Sequence, residues 1–117
     1  MPSPPPRVFE RPTRAESLAV EWRAPSAAIS RLVRAADRVF VAHTRLAGER
    51  LHVAGVTAPR AASPPLAPGV LHVDPARERL LVGTGDTPLE LTRLGVRSGY
   101  ELARARGIRS GARFEPP

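Results

Sequence analysis

Four groups of residues in this sequence have types and spacings that chemistry could use. The first is Gly83-Thr84-Gly85-Asp86, set between the apolar runs "LLV" and "LEL". A glycine-rich loop cradles phosphate when its backbone amides converge on the anion. That use needs a third glycine opening a helix, or a lysine after the loop. Here Pro88 and the alternating Leu89 and Leu91 follow instead, and the sequence contains no lysine. The stretch therefore predicts a turn joining two strands, with glycine supplying a positive φ and Asp86 bonding its own backbone. The second group is His43, His52 and His72. Three imidazoles can hold zinc, and His52 and His72 are expected to face outward together, but no short metal-ligand spacing links the three. No Ser-His-Asp arrangement or carboxylate pair is spaced for acid–base work. No catalytic residue is assigned, and neither a metal nor a cofactor is expected.

The third group is arginine. Between residues 93 and 113 lie Arg93, Arg97, Arg104, Arg106, Arg109 and Arg113, with Glu101 as the one acid among them. A concentrated positive patch releases counterions from a phosphate backbone, and each guanidinium can grip phosphate oxygens in a fork. These six are the candidate RNA-binding residues. The competing reading is a solvated basic edge. Arg31, Arg34 and Arg38 have the spacing of an ordinary solvent-facing helix stripe, diluted by Asp37. The fourth group is aromatic: Trp22, Phe40, Tyr100 and Phe114. Bases stack on such rings in single-strand binders. Trp22 and Phe40 lie in apolar patterns and are expected in the core. Tyr100, beside Arg97, is expected to pack the last helix.

Composition sets the bounds on what these residues can serve. The chain has 117 residues, 18 basic residues, all arginine, against 11 acids, and a net charge of +7. Such a chain favours polyanionic partners through long-range attraction. It has no cysteine, which excludes disulfides and thiolate metal sites. Its first residues, "MPSPPPRVFERP", hold no apolar stretch of the kind a secretory signal needs. No run is apolar enough for a membrane span, so a soluble cytoplasmic protein with no membrane partner is expected.

The elements that must position these groups follow from periodicity. Residues 1–13 carry Pro2, Pro4, Pro5, Pro6 and Pro12 and are expected to be a disordered tail or linker. "SLAVEW" alternates Leu18, Val20 and Trp22, a short half-buried strand. In "PSAAISRLVRAADR", Ile29, Leu32, Val33 and Ala36 recur at helical spacing. "VFVAHTRL" and "ERLHVAGVTAP" predict a hairpin, and the Pro-rich "TAPRAASPPLAPG" a surface loop. Three more strands follow: "VLHVD", "RERLLVGTG" and "LELTRLGV". A short helix in "SGYELARARG" is capped by Ser98 and stopped by Gly107. The fold class is mainly β with one or two helices, a small open barrel of the oligonucleotide-binding (OB) kind, over residues 14–114.

Taken in order, these segments resemble a known family. The helix stretch "EWRAPSAAISRLVRAADR", the Gly-Glu-Arg-Leu hairpin, "PGVL", "LLVGTGDTPLELTRL" and the closing Gly-x-Arg-Phe are similar to the C-terminal domain of methionyl-tRNA formyltransferase and related formyltransferases. The resemblance implies an open OB-type barrel that helps to hold tRNA. It implies that formyl transfer belongs to a separate Rossmann-like domain supplying an Asn, a His and an Asp. Nothing like that domain's "HGSLLP" string occurs here. The family's longer basic loop after the last strand is shortened to "GVRSGY", with Arg97 as its basic residue. The function expected is a stand-alone, non-catalytic domain that binds RNA, or assists tRNA recognition for methionyl-tRNA formylation at translation initiation. The alternative is a docking subunit for a separately encoded formyltransferase catalytic domain acting on a sugar or carrier-bound amine.

Overall fold

The computed structural model describes residues 16–36 and 40–117. The expected tail at 1–13 lies outside them, as do Asp37, Arg38 and the side chain of Phe40. The structure is mainly β: six strands in one open sheet, in the order β1-β2-β3-β6-β5-β4, with two helices. Strand β1 (Glu16–Ala19) runs parallel to β2 (Phe40–Leu46), from Glu16 opposite Phe40 to Ala19 opposite His43. A parallel pair cannot be joined by a tight turn, and helix α1 (Ser26–Ala35) makes the crossover. Ile29 and Val33, four residues apart, bury against β3, while Arg31 and Arg34 stay exposed. Val20 and Trp22 are buried as the alternation predicts, but Leu18, on the edge strand β1, is 40% exposed; the strand ends at Ala19 and Trp22 sits in a turn beyond it.

The hairpin turn between β2 and β3 (Glu49–Thr57) consists of Ala47 and Gly48, at φ 52 and 83. Positive φ at both central residues matches the twist of the flanking strands. Strand β3 is long enough to serve two neighbours. Its first half pairs with β2, and its second half pairs with β6 (Leu89–Leu94) through an irregular register around Gly55. That bulge bends the strand and turns the sheet's corner. Beyond β6 lie β5 (Arg79–Val82) and β4 (Leu71–Asp74). Every residue of β5 is buried. Helix α2 (Gly99–Arg106) opens on a capping box in which Ser98 Oγ accepts the Glu101 amide and Glu101 accepts the Ser98 amide. It closes on Gly107 in the left-handed region at φ 66.

The C-terminal segment runs from the outer edge of β4 across to β2. Leu71 donates to Ala112 O at 2.7 Å and accepts from the Gly111 amide at 2.8 Å, so the segment covers the outer edge of β4. Phe114 then donates to Gly69 O at 2.9 Å, and Glu115 donates to Arg45 O on β2 at 2.8 Å. This strap covers an edge that would otherwise template pairing with another chain. Inside lies an aliphatic core, with Leu71, Leu80, Val82, Leu91 and Leu94 at 2% exposure or less. Among the described residues its aromatic members are Trp22 and Phe114, stacked at 5.2 Å. No helix is long and apolar enough to cross a membrane among the described residues.

Candidate nucleic-acid interface

The Gly83–Asp86 stretch is a junction of backbones. It joins strands, as the sequence predicts, but the reason for its glycines differs. Neither Gly83 nor Gly85 has a positive φ. A Cβ on Gly83 would stand 2.0 Å from Ala67 O, and one on Gly85 2.2 Å from Arg23 O. Glycine is required because three chain segments cross here: Gly83 donates to Val70 O, and Gly85 donates to Ala24 O, both at 2.9 Å. Asp86 does bond locally, accepting the Thr87 amide at 2.6 Å, and its Oδ1 also accepts the Ser26 amide at 2.8 Å. Pro25, at the N-cap of α1, makes no side-chain cap. Asp86 thus caps a helix 60 residues away in sequence. The Ser26 and Thr87 amides draw its pKa down to about 2. Its amide-accepting oxygen is spent on structure.

The six C-terminal arginines are all exposed, and they do not form one patch. Arg97 and Arg106 share an open groove of about 360 Å³ with Arg50 and His52 of β3, over a floor that includes the buried Leu51, Leu94 and Leu102. Three local features set this geometry. The Gly95 amide donates to His52 O at 2.8 Å, tying the β6 turn to β3. Leu94 and Arg97 exchange backbone bonds at 2.9 and 3.3 Å, which closes the turn and sets Arg97 at its end. The capped α2 presents Arg106 from its last turn. Arg106 pairs with Glu49, whereas Arg50 and Arg97 have no acidic partner among the described residues. Two guanidinium groups without counter-charges, above a wall of leucine, can hold phosphate oxygens.

The other four arginines lie elsewhere. Arg113 lines a separate cleft of about 260 Å³ with Arg23, Trp22 and Phe114. Arg93 stands on β6 opposite Gly55, and Arg104 and Arg109 lie outside both grooves. Grouping by proximity along the chain missed Arg50 and His52. Their signal was available in the hairpin "GERLH", which places Arg50 two residues after the turn.

The histidines separate differently from expectation. His43 and His52 stand opposite each other on β2 and β3, while His72 lies on β4, three strands from β3 in the sheet order. Burial lowers the pKa of His43, and Arg50 and Arg45 push it the same way. No group of three or more His, Cys, Asp or Glu is placed to hold a metal among the described residues. Trp22 is core, donating its indole N–H to Thr44 Oγ1 at 2.8 Å. Tyr100 lies in α2, is half-buried, and lines a cleft that also includes Glu90 and Leu91.

A family model described as the formyl transferase C-terminal domain matches residues 13–105. Over 99 residues the chain is 37% identical to a methionyl-tRNA formyltransferase from Parafrankia sp. (strain EAN1pec), covering 82% of this chain and 32% of that protein. The chain thus spans about a third of the length of that curated relative.

Proposed function

This chain belongs to the formyl transferase C-terminal domain family, and we propose that it serves there as a tRNA-holding module that does not itself catalyse formyl transfer. The observation that carries the reading is the groove in which Arg50, Arg97 and Arg106 converge with His52. Phosphate oxygens displace counterions on entering such a site, so affinity falls as salt rises. The net charge of +7 draws the polyanion in. The relative that is a methionyl-tRNA formyltransferase supports tRNA as the RNA concerned. Other charged side chains are committed to structure: Arg79 to Asp74 and two loop carbonyls, Asp86 to α1. The setting is cytoplasmic translation initiation.

The test is retention of tRNA across a salt series. We expect a linear fall of log affinity with log salt, and Arg50→Ala or Arg97→Ala each to reduce the slope by about 1. Arg106→Ala has the smaller effect, because Glu49 already neutralises that cation. Affinity indifferent to salt, or no retention at low salt, overturns the reading.

A second reading is favoured by Val96, 87% exposed at the lip of the same groove. An apolar side chain so placed suits docking on a separate catalytic formyltransferase unit, one acting on a sugar or carrier-bound amine. Co-purification with such a unit, lost in Val96→Asp while tRNA retention persists, distinguishes this role from the first.

A further inference from the structure

A cavity of about 330 Å³ lies where the Pro-rich loop, β5, β6 and the start of α2 meet. That is the size range of small-molecule sites. Glu90 lines it with a side chain only 8% exposed. Its Oε1 accepts from Arg60 Nε at 3.3 Å and its Oε2 from Arg60 Nη2 at 3.2 Å. Both distances exceed the roughly 2.7–2.9 Å of a strong charge-assisted bond. Arg60 itself is 65% exposed and stands on the loop. A buried carboxylate is therefore held by a single solvent-exposed partner, whose place a ligand offering the same pair of donors can take.

The other arginine of the cavity cannot move in the same way. Arg79 is 1% exposed and donates to Asp74 at 2.9 Å, to Ala61 O at 3.2 Å and to Ala62 O at 2.7 Å. It anchors the loop that carries Arg60. Glu78, at the preceding position, holds a φ of 50, a strained value for a residue with a side chain, and it too lines the cavity. Tyr100 supplies an aromatic surface to its lining, and Thr57 and Thr92 add hydroxyl donors.

We propose that this cavity reads the Watson–Crick edge of a guanine base, which displaces Arg60 from Glu90; for a guanine in RNA, this rests on the RNA-holding reading above. Guanine presents N1–H and N2–H side by side, the same parallel donor pair that the Arg60 fork now offers, together with a flat face for Tyr100. Adenine places an acceptor where the carboxylate needs a donor. Hypoxanthine keeps one of the two donors.

A guanine in RNA and a free guanine nucleotide share this chemistry, and the experiment separates them. GMP, IMP and AMP carry the same phosphate, so calorimetric titration of the full chain with each isolates the base. We expect GMP to bind about tenfold or more tightly than IMP or AMP. Glu90→Gln removes the preference while circular dichroism and Tm show a folded protein. Arg60→Ala retains or strengthens GMP binding, because a competitor has gone; a merely structural role for Arg60 would weaken it. Single-stranded RNA with one guanine replaced by inosine then binds more weakly at an unchanged salt slope. Equal binding of the three nucleotides, a preference that survives Glu90→Gln, or loss of binding in Arg60→Ala overturns the proposal. A GMP preference without any guanine-to-inosine effect on RNA supports the cavity and overturns RNA as its source. Failure of tRNA retention leaves the nucleotide result standing.

Discussion

The carboxylate of Asp86 accepts the Ser26 and Thr87 amides at 2.8 and 2.6 Å, and these bonds hold its pKa at about 2. In the unfolded chain the same group titrates near 3.9. Because the folded value is depressed, its stabilisation is complete above about pH 4 and is lost as pH falls through about 2. Asp86→Asn keeps an acceptor for Ser26 but removes the charge that favours a helix N-terminus. We expect the variant to melt below the wild type at neutral pH, and the gap to close as pH approaches 2. Thermal melts of both proteins at stepped pH read this directly; a gap independent of pH excludes the charge as its cause. The neighbouring glycines act on the same junction through shape, since a Cβ at either would strike a carbonyl oxygen.

At the scale of elements, the loop between β3 and β4 is irregular in backbone yet tied down at two points. Arg79 holds the Ala61 and Ala62 carbonyls, and Arg60 holds Glu90. Removing one partner of a buried charge network leaves the rest unsatisfied. Arg79→Met is therefore expected to destabilise the fold by roughly 3 kcal/mol. Trypsin should then cut faster after Arg60, and limited proteolysis with urea unfolding reads both effects. How far these elements could be read from sequence depends on the range of the interaction. The helices and the hairpin were legible, because Ile29 and Val33 recur at helical spacing and Ser98 to Glu101 is a local box. The trans cap from Asp86 to Ser26 was not, since it spans 60 positions and depends on how β5 meets α1. The groove was half legible. Arg97 and Arg106 follow from the basic C-terminal run, but Arg50 and His52 join them only because β3 pairs with β6. The Tyr100 cavity left no pattern, because its walls come from five separate stretches.

For the whole molecule, the C-terminal strap turns an open sheet into a bounded one. Phe114 is 2% exposed and stacks on Trp22, whose indole reaches Thr44. Phe114→Ala is expected to cost about 3–5 kcal/mol. That is a large share of the roughly 5–15 kcal/mol that holds a small domain together. The midpoint in urea should fall with m unchanged; a loss under about 1 kcal/mol would mean that the strap rests on the surface without completing the core. The strap also has a consequence for synthesis. The partner that covers Trp22 is made about 90 residues later, a delay of roughly 5–18 seconds at ordinary translation rates. Through that interval the nascent chain shows an uncovered indole on a gapped sheet. The Trp22 side of the core is therefore completed only once Arg113 and Phe114 have left the ribosome.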